Sequence, residues 1–141
     1  MSEQQKTINN FFILVGSNIK PSENIKRGLN LIEQEDSIVI IKQSSEFHSK
    51  AVGMVGPDFV NKVVKCSTKM SFNQTRMYLK KIEDHCGRER SSNKFIPRTL
   101  DLDVIKWNDF KGVLDGYQLP DPDIEKYDFV SVPLNELLKE D

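Results

Sequence analysis

Four segments of this chain have the continuous apolar runs or the two-residue alternation that predict β-strands. They are residues 11–15, 37–47, 59–66 and 98–107. The first segment is apolar at every position and closes at Gly16, which is typical of a buried strand. The last segment alternates, so that Asp101 and Asp103 share one predicted face while leucines line the other.

Two further segments have the three- and four-residue spacing of apolar positions that predicts amphipathic helices. The first of these helices opens at Pro21. The second begins with a capping box formed by Ser71 and Gln74, and it ends at Gly87. A short final helix is predicted after Pro133.

The order of these elements is strand, helix, strand, strand, helix, strand, which is the split βαβ or ferredoxin-like pattern. It predicts an α+β fold with a βαββαβ core, in which an antiparallel sheet carries both helices on one face. The other face, or the loops at one end, then remains available for a functional site. The length of 141 residues suits one domain, predicted over residues 11–141 after a flexible tail at residues 1–10.

The paired aspartates of the last predicted strand are the most informative chemical feature. Asp101 and Asp103 stand roughly 7 Å apart along one face. Mg²⁺ prefers one or two carboxylates completed by water and phosphate oxygens. The segment before them holds four basic residues that suit polyphosphate, namely Arg88, Arg90, Lys94 and Arg98. Together these features favour metal-assisted phosphoryl transfer over a solvated edge strand beside a basic surface loop.

Phe59 and Asn61 form a second candidate site, because their two-residue spacing places them on one strand face. An aromatic ring beside an amide suits a flat heterocycle. The aromatic ring stacks on the face of the heterocycle, and the amide hydrogen-bonds to its edge. The alternative is a core phenylalanine beside an edge asparagine, and the pattern by itself favours that alternative. The sequence contains no glycine-rich phosphate loop of the usual kinds, so side chains and metal would have to hold any polyphosphate.

Composition and charge argue against several classes of protein. The net charge is −1, from 20 basic and 21 acidic residues, which argues against a ferredoxin-like nucleic-acid module. The apolar run near the N-terminus is too short for a signal peptide or a membrane span, so we expect a cytoplasmic location without a membrane partner. Cys66 and Cys86 are then expected to be reduced thiols.

Taken together, these residues resemble the 6-hydroxymethyl-7,8-dihydropterin pyrophosphokinases of folate biosynthesis. Four segments match in the family's order, namely residues 15–18, 45–61, 87–103 and 119–134. The most specific run is Pro-Arg-Thr-Leu-Asp-Leu-Asp at residues 97–103, and the resemblance extends over residues 11–138. It implies a ferredoxin-like fold and Mg²⁺-dependent transfer of the ATP diphosphate to the pterin hydroxymethyl group, which leaves AMP.

The resemblance also implies roles for individual residues. The catalytic set is Arg88, Arg98, Asp101 and Asp103, of which the two aspartates would bind two Mg²⁺ ions and the two arginines would contact phosphates. The residues implied on the ATP side are Lys80, Glu83, Arg88, Arg98, Val104 and Asp121. The residues implied on the pterin side are Ser49, Val52, Phe59, Asn61 and Phe129.

In the pterin site that the resemblance implies, Phe59 and Phe129 would stack on the two faces of the ring, and Asn61 would hydrogen-bond to its edge. The pterin hydroxyl is the nucleophile in this family, so no protein nucleophile is required. ATP and the hydroxymethyl pterin are the expected partners, and a monomer is the expected assembly. Asp121 stands where the family usually has a histidine, and Tyr127 stands where a basic residue is common. The alternative function is therefore that of a family member that binds a pterin without efficient transfer.

Overall fold

A computed structural model of the protein describes residues 7–34, 36–50, 58–87 and 99–139. The elements in chain order are β1 (Asn9–Ser17), α1 (Pro21–Gln34), β2 (Ile38–Gln43), β3 (Phe47–Ser49), β4 (Phe59–Thr68), α2 (Phe72–His85), β5 (Asp101–Trp107), β6 (Gly112–Leu114), β7 (Tyr117–Leu119), α3 (Asp123–Lys126) and α4 (Asp128–Lys139). The predicted α+β class is confirmed, because helices pack on an antiparallel sheet.

The main sheet has the strand order β2-β4-β1-β5, and β3 pairs with the end of β4 that β2 leaves uncovered. The two central strands, β1 and β4, pair in one uninterrupted register from Asn9 opposite Thr68 to Ser17 opposite Val60. β5 pairs with β1 and forms an edge of this path. β6 and β7 form a separate hairpin.

Helices α1 and α2 cover one face of the sheet, as predicted. Ile25, Leu29 and Ile32 of α1 are buried in the same cluster as Phe11 and Ile13 of β1. The helix α2 begins with the predicted capping box, because Ser71 Oγ accepts from Gln74 N at 3.1 Å and Gln74 Oε1 accepts from Ser71 N at 2.9 Å. This reciprocal pairing satisfies two backbone donors that the first helical turn would otherwise leave unpaired.

The opposite face of the sheet, which we expected to be available for a site unless the loops at one end held it, is partly covered, because α4 packs across its centre. Residues of α4 and of three strands form one buried cluster on this face, namely Phe12, Leu14, Val63, Ile105, Val130, Leu134 and Leu137. We call this set the α4-side cluster. The physical reason lies in β1, whose continuous apolar run presents large side chains to both faces and therefore requires a helical layer on each.

The start of α4 also differs from the prediction. The helix begins at Asp128, and Pro133 lies inside it as a buried residue. An internal proline removes one backbone hydrogen bond. The helix continues through Pro133 because the burial of Val130, Leu134 and Leu137 offsets that loss.

The strand β1 begins at Asn9, inside the range predicted as a tail. Residues 1–6 lie outside the described residues, so the tail and the single domain stay predictions. Cys66 and Cys86 are both buried free thiols, and burial, with a smaller effect of Glu33, raises the pKa of Cys66 to about 12. In the part of the chain that the structure describes, no helix has the length and apolarity needed to span a bilayer.

Candidate active site

Asp101 and Asp103 lie at the start of β5 and share one face, as the alternation predicted. Leu100 and Leu102 are buried on the side of α1 and α2, which anchors the strand from behind. Asp101 is half-buried, while Asp103 is exposed. Asp103 pairs with Leu14 of β1, so the aspartates occupy the face that the α4-side cluster shares.

The alternation in β5 holds as far as Ile105, and it reverses beyond that residue because the register with β1 shifts. Val104 pairs with Ile13 and Lys106 pairs with Phe12, which leaves Ile105 as an extra residue. Such a bulge bends the strand and reverses the faces beyond it. Ile105 keeps the face of Asp101 and Asp103 and packs in the α4-side cluster, whereas Trp107, two residues later, packs on the side of α1 and α2.

One row of residues across the sheet joins Asn61, which was predicted to bind the edge of the pterin, to Asp101, which was predicted to bind metal. Asn61 of β4 and Asp101 of β5 are both directly opposite Gly16 of β1. Residues in register share a face, so Asn61 and Asp101 flank Gly16, with their Cα atoms roughly 10 Å apart across two strand spacings. A Cβ atom at Gly16 would approach Asn61 Oδ1 to 2.4 Å, so only glycine leaves the Asn61 side chain its position.

The other described residues that were predicted to bind the pterin lie on the same face of the sheet as this row. Phe59 is half-buried, shares the face of Asn61 and pairs with Ser49 of β3. Phe129, in the first turn of α4, packs against the α4-side cluster on the same face of the sheet. The ring of Tyr127 stacks on Phe129, with centroids 4.9 Å apart. Val52 lies outside the described residues.

A cavity of about 250 Å³ opens beyond the outer edge of β5. Its lining comes from α2, β5, β7 and the segment after β7, namely Phe72, Arg76, Lys80, Glu83, Leu102, Asp103, Val104, Tyr117 and Asp121. The structure thus brings together, beside the predicted metal ligand Asp103, the four described residues that the sequence assigned to ATP. Arg88 and Arg98 lie outside the described residues.

Sequence reasoning missed the aromatic and cationic end of this cavity. The Arg76 guanidinium lies over the Tyr117 ring, 3.8 Å from its centroid, and Arg76 Nη2 donates to the Tyr117 hydroxyl. Phe72 packs edge-on against both Tyr117 and Trp107, at 6.1 and 5.4 Å between centroids. A signal existed in part, because Phe72, Arg76 and Lys80 recur every four residues and so share one face of α2.

Glu83 is the buried carboxylate of the cavity wall, with only 7% of its surface exposed. Its Oε2 atom accepts a hydrogen bond of 2.6 Å from the backbone N–H of Leu102. A carboxylate is costly to bury unless it is hydrogen-bonded. Glu83 therefore has a structural partner in β5 and does not simply face the cavity.

Asp121 brings a third carboxylate to the wall, beside those of Glu83 and Asp103. Its N–H donates to the carbonyl of Ile105 at 2.9 Å, and its Oδ1 accepts from Asp123 N at 2.8 Å. Burial raises the pKa of Asp121 above its usual range, and the charge of Asp123 adds to the increase, while the Asp123 hydrogen bond and Lys126 oppose it. Negative charge at this position is therefore less favourable than at an exposed aspartate.

The donor chemistry of the site suits Mg²⁺ only when substrate contributes ligands. Within the described ranges, no three or more histidine, cysteine, aspartate or glutamate side chains are grouped to hold a metal ion. Asp103 supplies a carboxylate to the lining of a cavity that is large enough for a polyphosphate, and Asp101 lies two residues before it on the same face of β5. Mg²⁺ binds in this way, through one or two carboxylates together with phosphate oxygens and water.

Comparison with known proteins agrees with this geometry. Residues 12–139 match the family of 7,8-dihydro-6-hydroxymethylpterin-pyrophosphokinase (HPPK). The chain belongs to this family. Membership covers every described site residue, from Ser49 to Phe129, and confirms the resemblance seen in the sequence.

Individual HPPK relatives give the extent of the likeness. The chain is 33% identical over 128 residues to the 2-amino-4-hydroxy-6-hydroxymethyldihydropteridine pyrophosphokinase of Haemophilus influenzae, covering 89% of the chain and 79% of that protein. It is 31% identical to the protein of the same name from Aquifex aeolicus, covering 89% and 78%. It is also 30% identical to the folate synthesis bifunctional protein of Arabidopsis thaliana, where the match covers 97% of the chain but only 28% of that protein.

Proposed function

We propose that this HPPK family member transfers the diphosphate of ATP to the hydroxymethyl group of 6-hydroxymethyl-7,8-dihydropterin, in folate biosynthesis. One observation carries the proposal. The strand β5, which carries Asp101 and Asp103, lies between Asn61 on the sheet face and the cavity beyond the outer edge of β5, and Asp103 lines that cavity. A pterin on the sheet face and a nucleotide in the cavity would therefore meet at the two carboxylates. The names of the bacterial relatives support the same reaction.

The pterin is assigned to the face that carries Phe59, Asn61 and Phe129. Asn61 is 6% exposed and Gly16 beside it has no side chain, so its amide is held at a fixed point of a rigid sheet. An amide of this kind donates and accepts at the edge of a flat heterocycle. Phe59 and Phe129 supply apolar rings for its two faces. Ser49 and Val52 are assigned to the same ligand through their backbone.

The nucleotide is assigned to the cavity with its phosphates toward Asp103 and its base toward Tyr117. The reason is that the aromatic residues and Asp103 lie at opposite ends of the wall. Phe72, at the aromatic end, contacts Trp107, and Trp107 lies four residues from Asp103, roughly 13 Å along β5. Aromatic and guanidinium planes suit a stacked base. Lys80, Arg88 and Arg98 are assigned to the phosphates, while Glu83 and Val104 line the wall between the two ends.

The group transfer requires no protein nucleophile. The oxygen of the pterin hydroxymethyl group forms a bond to the β-phosphorus of ATP, the bond from that phosphorus to the α-phosphate oxygen breaks, and AMP leaves. The hydroxyl proton passes to solvent. Asp101 and Asp103 would hold two Mg²⁺ ions, which neutralise phosphate charge when bound. The protein's own contribution is to hold both substrates in line and to stabilise charge with basic side chains.

AMP formation from ATP and Mg²⁺, with and without the hydroxymethyl pterin, tests the proposed function. We expect AMP only when the pterin is present, together with the pterin diphosphate in equal amount. Release of AMP without pterin would indicate a nucleotide hydrolase instead. Pterin binding without any AMP would overturn the transfer reaction and leave binding alone.

We further propose that the core is ferredoxin-like. If β3 is set aside, β1, α1, β2, β4, α2 and β5 follow one another in the βαββαβ order, and the strand order β2-β4-β1-β5 supports the assignment. The cytoplasmic location and the monomeric state stay predictions, which fractionation and light scattering would test.

A further inference from the structure

The rings of Tyr127 and Phe129 stack nearly parallel beside the proposed pterin site. Their centroids are 4.9 Å apart and the angle between their planes is 18°. Tyr127 is 40% exposed, whereas Phe129 is half-buried against the α4-side cluster. Tyr127 therefore covers one face of the Phe129 ring from the solvent side.

The backbone of Tyr127 is held at the junction of two helices. Its N–H donates to the carbonyl of Asp123 at 3.0 Å, which closes α3. Its carbonyl accepts from Val130 N at 3.1 Å and Ser131 N at 3.0 Å, which begins α4. These bonds fix the direction in which the Tyr127 side chain leaves the backbone, and its stacking on Phe129 is the contact that can restrain the Phe129 ring.

We propose that Tyr127 is a positioning residue for the pterin. It covers one face of Phe129 and fixes the plane of that ring, so that the other face is presented to the heterocycle. The inference rests on the proposed function, in which Phe59 and Phe129 enclose the pterin. Its physical basis is preorganisation, because a ring already held in its bound orientation loses less conformational freedom on binding.

The chemistry of the side chain supports this role over a phosphate contact. A tyrosine ring carries no positive charge, so it does not attract a polyphosphate as a basic residue would. Its apolar face packs on Phe129, while its hydroxyl tolerates the exposed position. The stack thus ties Tyr127 to the pterin side and not to the cavity beyond β5.

The inference is tested with Tyr127→Ala and Tyr127→Phe, with Leu138→Ala as the matched control. Leu138 lies on α4, the helix that begins directly after Tyr127, and its exposure of 39% is close to that of Tyr127. Pterin and ATP dissociation constants are measured separately by calorimetry, with a non-hydrolysable ATP analogue present for the pterin. We expect Tyr127→Ala to weaken pterin binding between about twofold and tenfold, the range expected for one aromatic pair. We expect Tyr127→Phe to restore it, and ATP binding to stay unchanged in both.

Three results would overturn the inference. Equal pterin affinity in Tyr127→Ala and the parent protein would mean that the stack positions nothing. Tighter pterin binding would mean that Tyr127 obstructs the site, and parallel losses for pterin and ATP would indicate a general structural role. Phe59→Ala separates this inference from the proposed function. If that change also leaves pterin affinity intact, the pterin site itself is wrongly assigned; if it weakens binding while Tyr127→Ala does not, only the positioning role fails.

Discussion

The Glu83 carboxylate accepts a 2.6 Å hydrogen bond from the backbone N–H of Leu102, the residue between the two aspartates of β5. This contact joins α2 to the edge strand at the point where the proposed metal ligands project. Because Asp101 and Asp103 flank Leu102, a displacement of its backbone would move both carboxylates together. Glu83 thus contributes to the position of the site even without contacting a substrate.

Removal of this contact is expected to affect stability and catalysis together. Glu83→Ala leaves a buried N–H unpaired and should lower the free energy of unfolding by about 1–3 kcal/mol. Glu83→Gln retains an acceptor oxygen and should lose less. Urea denaturation and kcat are the measurements, with Lys81→Ala, an exposed position on the same helix, as control. Equal losses of stability and of kcat in Glu83→Ala and Glu83→Gln would show that the hydrogen bond to Leu102 is not their cause.

Loss of either carboxylate should abolish transfer while the fold persists. Asp101→Asn and Asp103→Asn keep the size of the side chain, and the anchoring leucines remain buried on the other face. Removing one ligand of a phosphate-clamping cation should lower kcat roughly 100-fold or more. Circular dichroism should be unchanged, and Asp109→Asn, in the exposed turn after β5, should keep full activity. Substantial activity in either variant would refute the metal assignment.

Gly16→Ala should impair pterin binding through Asn61. The new Cβ would lie 2.4 Å from Asn61 Oδ1, so the amide has to move. We expect weaker pterin binding with unchanged ATP binding, measured by calorimetry. The matched control is a double-mutant cycle, because Gly16→Ala should have little further effect once Asn61→Ala has removed the amide. Additive losses in the cycle would contradict a role for Gly16 through Asn61.

Asp121→Asn should strengthen ATP binding at neutral pH. A carboxylate in the wall repels polyphosphate, and removing one screened charge corresponds to about 1 kcal/mol, or about fivefold in Kd. Calorimetric titration with MgATP is the measurement. Unchanged or weaker ATP binding would mean that Asp121 does not face the phosphates.

The same variant should also change the pH dependence of stability. The pKa of Asp121 is raised in the folded state, so the ionised carboxyl opposes folding at pH values above that pKa. The opposition fades as the pH falls through the folded pKa toward the ordinary value of 3.8. Asp121→Asn should therefore stabilise the protein at neutral pH, and the gain should shrink as the solution is acidified. A gain that is constant with pH would exclude titration of Asp121 as its cause.

Arg76→Ala and Tyr117→Leu test the base end of the cavity. Loss of stacking should weaken ATP binding about threefold to tenfold. Binding of inorganic tripolyphosphate, which has no base, should be unchanged in both variants. If Arg76→Ala weakens tripolyphosphate equally, Arg76 contacts phosphates and the assignment of the base end is wrong.

The sequence by itself determined those features that depend on neighbours along the chain. The alternation of Asp101 and Asp103 with leucines follows from the two-residue period of a strand. The capping box of Ser71 and Gln74 follows from helical spacing. The specific run at residues 97–103 indicated the HPPK family, and the family match over residues 12–139 confirms it.

Only the tertiary structure decided what distant segments do to one another. The Asn61–Gly16–Asp101 row depends on the registers of two strand pairs, and the stack of Arg76 on Tyr117 joins residues 41 positions apart. The bulge at Ile105 and the layer formed by α4 depend on how both faces of the sheet are filled. Such contacts arise from packing and pairing free energies summed over the whole domain, and no local period of the sequence encodes them.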